Sequence, residues 1–324
     1  MPTIQESLRP FPRLNNSLVP TPVHGLDWLS DKYGVNVYCK RDDLTGFGFG
    51  GNKTRKLDFL LADALSQSCD TLIAIGANQS NFCRVAASYG VWGNMEVHLM
   101  LGGARCENPT GNLRLDHLLG VTCHHVNSPD WDNWACEAEK LEKKLTAQGK
   151  KVYRMPVGGS TPRGVLGYVD AFSEIVADQS SLAVEFDAVI HASSSAGTQA
   201  GLVVGQAISG WKGQIIGVSV AKPQDEFRQE VLDLARATAA EIDTAIDPSS
   251  IVVDDAYIGE GYAAKTAGCR EAVEMFARRF GIFLDYVYTG KAAAALIDYL
   301  RKGRFAQGAN VLFIHTGGNI ELFE

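Results

Sequence analysis

The sequence predicts an α/β fold with two domains, each built on an open, twisted, mainly parallel sheet that is covered by helices. Short apolar runs of strand length alternate repeatedly with stretches of helical periodicity along the 324 residues. A glycine-rich segment, Gly158–Gly164, interrupts this alternation in mid-chain and is the candidate hinge between the domains. No internal repeat or heptad series indicates a competing architecture.

Composition and charge narrow the class of protein. The chain is 46% hydrophobic and 21% charged, which is ordinary for a soluble globular protein, and its formal net charge is −7. It has no basic run of the kind that binds nucleic acid, no secretory leader and no apolar stretch long enough to span a membrane. We therefore expect a cytoplasmic protein that binds neither nucleic acid nor membrane.

The cysteines support the same compartment. Seven are scattered along the chain, with no Cys-x-x-Cys pair. This pattern favours reduced thiols over a disulfide framework or a zinc site. No motif requires a metal ion, so we expect none.

The strands and helices follow from local pattern, taken in chain order. Residues 9–34 are rich in proline and turn formers, and apolar runs after them predict strands at 35–40, 71–75, 97–101, 121–126, 151–156, 186–192, 214–220 and 310–314. Helical periodicity predicts helices that begin near residues 53, 82 and 110, and further helices over 131–148, 167–178 and 222–243. It also predicts one helix that ends at Arg279 and another that residues 285–291 open.

The segment Phe49–Leu57 is the most unusual part of the chain. Gly50 and Gly51 precede a helix whose first turn carries Lys53, Arg55 and Lys56. Because the helix dipole is positive at that end, three cations there indicate a nearby anion or an uncharged lysine. A lysine attached as a Schiff base to a phosphate-bearing cofactor would satisfy both conditions. A solvated basic helix start is the ordinary alternative.

Four further loops follow strands or open helices, at the sheet edge where α/β folds bind ligands. Ser193–Gly201 has the small residues that cradle a single phosphate, without a dinucleotide or Walker pattern. Gln79–Asn81 could bind a substrate carboxylate, Tyr288-Thr289 could lie beside a ring, and Thr316–Gly318 could offer a hydroxyl to a ring nitrogen. Each also has an ordinary structural interpretation, as a turn, a helix cap or a core tyrosine.

Taken together, these motifs resemble the D-cysteine desulfhydrase / 1-aminocyclopropane-1-carboxylate deaminase family. The segments that carry the resemblance are Gly51–Leu57, Gln79–Asn81, Ser195–Thr198, Val287–Lys291 and His315–Gly318. The resemblance extends from about Arg9 to Phe323. It implies a tryptophan-synthase-β-like fold (fold type II), pyridoxal 5'-phosphate as cofactor, a small amino acid as substrate and a homodimer. It also implies a large domain of residues 1–54 and 166–324, with a small domain of residues 55–165 between them.

The resemblance further implies roles for individual residues. Lys53 attaches the cofactor and moves the substrate α-proton, and Ser80, Tyr262 and Tyr288 complete the catalytic set. The other cofactor contacts are Lys56, Asn81, Ser195, Ala196, Gly197, Thr198, Thr289 and Thr316. The substrate is surrounded by Gln79, Ser80, Asn81, Phe82, Tyr262 and Tyr288.

Two positions favour β-elimination over opening of a cyclopropane ring. The deaminase branch has glutamate where this chain has Thr289 and leucine where it has Thr316. A hydroxyl partner leaves the nitrogen of the cofactor ring more nearly neutral than a carboxylate partner does. A ring in that state is sufficient to eliminate a good leaving group such as thiolate. The predicted function is therefore D-cysteine desulfhydrase, a carbon–sulfur lyase that yields pyruvate, sulfide and ammonia.

Departures from the family pattern keep alternatives open. Phe82 replaces the usual histidine and removes a polar group beside the substrate, while Lys265 could serve an acidic side chain. The alternatives are L-cysteate sulfo-lyase, 1-aminocyclopropane-1-carboxylate deaminase and a non-catalytic protein that binds the cofactor and an amino acid.

Overall fold

The computed structural model describes residues 2–324, and the α/β architecture is as predicted. Within these residues the strands are β1 Val23–Gly25, β2 Asn36–Lys40, β3 Thr71–Ala77, β4 Glu96–Gly102, β5 Thr122–Val126, β6 Val152–Met155, β7 Ala188–Ser193, β8 Gln214–Ser219, β9 Ile251–Asp254 and β10 Asn310–Ile314. The helices are α1 Ile4–Leu8, α2 Asp27–Tyr33, α3 Asn52–Ser66, α4 Asn81–Trp92, α5 Gly111–Leu118, α6 Trp131–Ala147, α7 Pro162–Leu182, α8 Gly197–Ser209, α9 Gln224–Glu241, α10 Ala267–Phe280 and α11 Thr289–Arg301.

The strands form two separate sheets. The larger has the order β1-β2-β10-β7-β8-β9, and the smaller has the order β5-β4-β3-β6. All neighbours are parallel except β1 and β2, which pair antiparallel at one edge. The prediction of two mainly parallel sheets is therefore confirmed.

The strands β3, β4, β7, β8 and β10 are almost completely buried, which explains why they are nearly continuous apolar runs, whereas the edge strands β1 and β5 are partly exposed. One core lies between the larger sheet and α7, α8 and α9, and a second lies under α2, α10 and α11. The smaller sheet packs against α3 and α4 on one face and against α6 on the other. Within residues 2–324, no helix combines the length and apolar character needed to cross a bilayer.

All eight predicted strands are present. The prediction missed four short elements and misplaced the start of one helix. The edge strands β1 and β9 and the helices α1 and α2 were not predicted, because three to seven residues carry too little periodicity. Helix α7 begins at Pro162 and not near Gly167. Thr161 caps it by accepting a hydrogen bond from Gly164 N at 3.2 Å, and proline is well suited to the first turn.

The two-domain division stays a proposal. The strands of the smaller sheet all fall between Thr71 and Met155, inside the proposed small domain 55–165. Both proposed boundaries fall within helices, α3 and α7, and these two helices pack against each other. The chain thus passes from one sheet to the other through packed helices.

Candidate active site

A cleft lies where the carboxyl ends of strands from both sheets meet. It encloses about 860 Å³, counting the space that opens to solvent. The segments that follow β2, β3, β7 and β10 supply most of its lining, as expected for the ligand site of an α/β fold. The predicted residues that line it are Lys53, Ser80, Asn81, Phe82, Ser195, Ala196, Thr198, Tyr262, Tyr288 and Thr316.

The backbone around Gly51 brings the start of α3 against the end of β10. Gly51 has a φ of +97°, and a Cβ on it would lie 3.1 Å from the Thr316 carbonyl oxygen. Asn52 N donates to the same carbonyl at 2.9 Å. Glycine is needed at this position for both the conformation and the close approach. The contact places Lys53, in the first turn of α3, beside Thr316.

The three cationic side chains in the first turn of α3 lie in different surroundings. Arg55 points away from the cleft and pairs with Asp42 at 2.8 Å and with Glu174 at 2.6 Å. Lys53 and Lys56 remain without a carboxylate partner within 4.0 Å among the described residues. Burial lowers the pKa of the Lys53 amine from 10.5 to about 8, and burial together with the Lys53 charge lowers the pKa of Lys56 well below its usual value. A lysine with a depressed pKa is present, as the sequence indicated.

The depressed pKa of Lys53 gives a testable pH dependence. Only the neutral amine attacks an aldehyde, so in the cofactor-free protein the reaction of Lys53 with pyridoxal should rise through pH 8 and level off above it. Trapping with borohydride and peptide mass spectrometry would measure this rate. Exposed Lys140, whose pKa is raised by its hydrogen bond to Glu137, is the internal control and should titrate at higher pH. Coincident profiles for the two lysines would contradict the prediction.

The turn before α8 fits a phosphate group. Ala196 has a φ of +62°, a conformation that costs a residue with a Cβ about 1–2 kcal/mol, and it leads directly into the helix N-terminus. A Cβ on Gly197 would lie 2.5 Å from Lys56 Nζ, so glycine permits the lysine to approach the helix start. The Ser193 hydroxyl is buried in the cleft wall without a hydrogen-bond partner in residues 2–324.

These features match the phosphate end of pyridoxal phosphate. An anion would find helix N–H donors, serine hydroxyls and a lysine that lacks a counter-ion. Lys56 Nζ donates to Gly158 O at 3.1 Å, and Ser160 Oγ donates to Ser195 Oγ at 3.1 Å, which hold two of these groups in place. The residues present therefore fit the cofactor that the family resemblance implies.

Helix α4 opens on the other wall of the cleft. Ser80 is its N-cap and accepts a hydrogen bond from Cys83 N at 3.1 Å, so the ordinary capping interpretation is correct. That bond uses a lone pair of the hydroxyl and leaves its proton for a ligand. The first N–H groups of the helix lie nearby, and together they suit a substrate carboxylate.

Two hydrogen bonds fix the orientation of the Asn81 side-chain amide. Its Oδ1 accepts hydrogen bonds from Arg84 Nη1 at 3.0 Å and from Asn112 Nδ2 at 3.1 Å. Arg84 also donates to Gly50 O at 3.0 Å, which ties α4 to the loop before Lys53. Since Oδ1 is occupied, Nδ2 of Asn81 is the group left to donate to a ligand in the cleft.

This arrangement predicts an effect of Asn112→Ala on cofactor binding. Removing one of the two donors frees the Asn81 amide, and the loss of about one hydrogen bond should weaken pyridoxal-phosphate binding about fivefold to tenfold. Absorbance titration of the cofactor-free variant would measure the affinity. Asn36→Ala is the matched control, because Asn36 is exposed and its side chain bonds only to Gly308 and Asn310 among the described residues. Equal affinities for the two variants would refute the positioning role.

A pair of tyrosines faces α4 across the cleft. The Tyr262 and Tyr288 hydroxyls hydrogen-bond to each other, and their rings lie 6.1 Å apart. Burial raises the pKa of Tyr262 to about 12 and that of Tyr288 well above its usual value, so both are neutral phenols at physiological pH. Phe82 lies in the opposite wall, with its ring packed near Gly159 and Leu60, and supplies no polar group.

Four predicted site residues do not line the cleft. Lys56 and Gly197 lie directly behind the turn before α8. Gln79 instead bonds to the start of α5, accepting from Asn112 N at 2.8 Å. Thr289 is buried, and its hydroxyl donates to Asp285 Oδ1 at 2.6 Å and does not line the cleft where the cofactor would lie.

Sequence reasoning also missed two cleft residues, Trp131 and Trp134. They lie three residues apart in the first turn of α6, so both rings share one face of the helix. That spacing was the available signal, but nothing local indicates that the face meets a cleft. Lys265 is not in the lining and pairs with Glu321 at 3.6 Å, over the ring of Tyr286. No group of three potential metal ligands is present in residues 2–324.

Comparison with known proteins identifies the family of the chain. Residues 14–317 match the family described as "Pyridoxal-phosphate dependent enzyme". A D-cysteine desulfhydrase of Yersinia pestis (strain Pestoides F) is 38% identical, over 99% of this chain and 98% of that protein. The corresponding enzyme of Yersinia enterocolitica is 39% identical over the same shares.

Solved structures give the same fold. A crystal structure described as an ACC deaminase homologue superposes with a TM-score of 0.93 at 35% identity, covering 100% of this chain and 97% of that one. Threonine deaminase isoform 2 of Solanum lycopersicum superposes with a TM-score of 0.72 at 17% identity, over 98% of this chain and 84% of that one. The second likeness shows the fold alone.

Proposed function

The chain belongs to the family of pyridoxal-phosphate-dependent enzymes, and from that premise we propose that it is a β-elimination lyase whose substrate is D-cysteine. The observation that carries the choice of reaction is Thr316. It places a hydroxyl at the end of β10, and no aspartate or glutamate lines the cleft among the described residues. Asp285, beneath Thr289, is buried and accepts hydrogen bonds from Val287, Tyr288 and Thr289.

The cofactor and the protein residues have different roles in the proposed reaction. Bound pyridoxal phosphate supplies an electron-withdrawing ring that stabilises negative charge at the substrate α-carbon. Lys53 Nζ would hold the cofactor, and its free amine would take the proton from the substrate α-carbon. Its depressed pKa suits it to proton transfer near neutral pH.

The other residues orient the reactants and manage protons. The Ser80 hydroxyl and the start of α4 would bind the substrate carboxylate, and the Asn81 amide and the Thr316 hydroxyl would orient the cofactor ring. The neutral phenols of Tyr262 and Tyr288 face the substrate, where one can donate a proton to the departing sulfur. The overall reaction converts cysteine and water into hydrogen sulfide, pyruvate and ammonium.

The alternative substrates fit less well. L-Cysteate carries a sulfonate, yet Lys53 is the only lysine, arginine or histidine that lines the cleft in residues 2–324, and Lys265 is paired with Glu321. Ring opening of 1-aminocyclopropane-1-carboxylate has the support of the ACC deaminase homologue, but not of Thr316. A non-catalytic binding protein would not need Lys53, Ser80, Tyr288 and Thr316 together.

A product assay on the purified holoenzyme tests the proposal. Pyruvate release would be measured from D-cysteine, L-cysteine, β-chloro-D-alanine, L-cysteate and D-serine, and 2-oxobutyrate release from 1-aminocyclopropane-1-carboxylate. We expect sulfide and pyruvate from D-cysteine. Pyruvate from other substrates only would keep the reaction and change the substrate, whereas 2-oxobutyrate alone would overturn β-elimination. No turnover with the cofactor bound would favour the binding protein.

We also propose a cytoplasmic homodimer. The seven cysteines are free thiols in the described structure, which supports a reducing compartment, and the full-length likeness to the D-cysteine desulfhydrases supports a common assembly. Light scattering after size-exclusion chromatography should give about twice the chain mass of 35.0 kDa, and a single-chain mass would refute the dimer.

A further inference from the structure

Four aromatic side chains form a continuous row across the cleft. The ring centroids are separated by 6.1 Å between Tyr288 and Tyr262, 6.4 Å between Tyr262 and Trp131, and 6.0 Å between Trp131 and Trp134. The tyrosines belong to segments beside the larger sheet, and the tryptophans belong to α6 on the smaller sheet. The row therefore connects both walls, and Tyr288 links it to the catalytic set.

The cleft lining near the tryptophans is largely apolar, and a cation close to them, Lys222, lies outside the lining, 5.4 Å from the centroid of the Trp131 ring, and pairs with Glu230. Ala77, Val157 and Phe82 line the cleft on the same side, and Lys53 is the only charged side chain in the lining within residues 2–324. Lys53 is already used for the cofactor and the α-proton. A charged substrate side chain would lose its hydration here without gaining an unpaired counter-ion, because Lys222 is already paired with Glu226 and Glu230, whereas an apolar ring would gain contact area and edge-to-face packing.

Of the two tryptophans, Trp131 is the one available to a ligand. Trp134 is 5% exposed, packs over Gly102 and donates from Nε1 to Ser128 O at 2.8 Å, which gives it a structural role. Trp131 is only partly buried and meets Tyr262 edge to face at 87°. Tyr262 itself is 39% exposed, so a group on the substrate could pack against both rings.

We propose that Tyr262 and Trp131, with Trp134 stacked behind Trp131, form an aromatic subsite for an apolar substituent on the substrate sulfur, so that the enzyme cleaves S-aryl and S-arylalkyl cysteines. This inference rests on the proposed function in β-elimination. The Cα–H and Cβ–S bonds break, the sulfur leaves with its electron pair and takes a proton, and water hydrolyses the remaining fragment. The thioether amino acid and one water thus give a thiol, pyruvate and ammonium, with no oxidant or reductant.

Kinetics on two substrates test the subsite. Specificity constants would be measured for S-benzylcysteine and cysteine, as both enantiomers, with wild type, Trp131→Ala, Trp131→Phe and Trp92→Ala. Trp92 is 53% exposed at the end of α4, outside the cleft, and is the matched control. We expect Trp131→Ala to lower kcat/KM for S-benzylcysteine about tenfold and that for cysteine less than about twofold, the size of one lost apolar contact. Trp131→Phe should retain most of the preference, and Trp92→Ala all of it.

The outcomes separate this inference from the function on which it rests. Pyruvate from cysteine but not from S-benzylcysteine, or an equal loss on both substrates in Trp131→Ala, overturns the subsite and leaves β-elimination intact. No pyruvate from either substrate overturns the proposed function. Calorimetric binding of D- and L-phenylalanine to the holoenzyme then tests the subsite alone: weaker binding by Trp131→Ala supports it, and unchanged or absent binding overturns it.

Discussion

Lys53→Ala is expected to abolish pyruvate release and the visible absorbance of the holoenzyme together. In our proposal Lys53 both attaches the cofactor and moves the α-proton, so the variant would lose both functions. Loss of a positioned proton-transfer group alone typically lowers kcat by about 10²–10⁴-fold. The readouts are product release, the absorbance spectrum and borohydride trapping of the cofactor on a peptide that contains residue 53.

Two controls make the Lys53 result specific. Lys265→Ala removes a lysine that pairs with Glu321 outside the cleft lining, and it should keep both the spectrum and the activity. Lys53→Arg retains a cation at the start of α3 but cannot attach the cofactor. If Lys53→Ala kept the visible absorbance, another lysine would hold the cofactor and our assignment would be wrong.

Arg55→Ala is expected to cost about 3–5 kcal/mol of unfolding free energy, because it breaks a buried ion pair and leaves carboxylates behind. The Arg55 side chain is 2% exposed and bonds to Asp42 and Glu174. Tyr168 and Thr21 donate to the same Asp42 carboxylate, at 2.5 Å and 2.8 Å. Urea unfolding of the cofactor-free protein would measure the loss.

Arg154→Ala is the matched control for this effect. Arg154 pairs with Glu142 on the surface, where the two side chains are 34% and 30% exposed, so its removal should cost less than about 1 kcal/mol. Arg55→Lys keeps the charge and should recover part of the stability. Similar small losses for both alanine variants would show that the buried network does not stabilise the fold.

The sequence could predict the elements and motifs that depend on local spacing. Eight strands were found from runs of apolar residues, most clearly the inner strands, which are covered on both faces and have no polar alternation. Lys53 at a helix start and the small-residue turn Ser193–Gly201 were recognisable because glycine and small side chains are required within a few residues of one another. Short edge elements such as β9 lacked this information.

Local sequence patterns were sufficient to predict the α/β class and the order of the motifs along the chain, and to single out Lys53 as the lysine that we propose holds the cofactor. The partner of each side chain depends on the tertiary structure. Arg55 pairs with Glu174, which lies 119 positions away, and Asn112 hydrogen-bonds to the Asn81 amide. The tertiary structure likewise brought Trp131 to Tyr262 and turned Thr289 away from the cleft. The physical reason is that helix caps and periodicity act within a few residues, whereas these contacts depend on how two sheets and their helices pack.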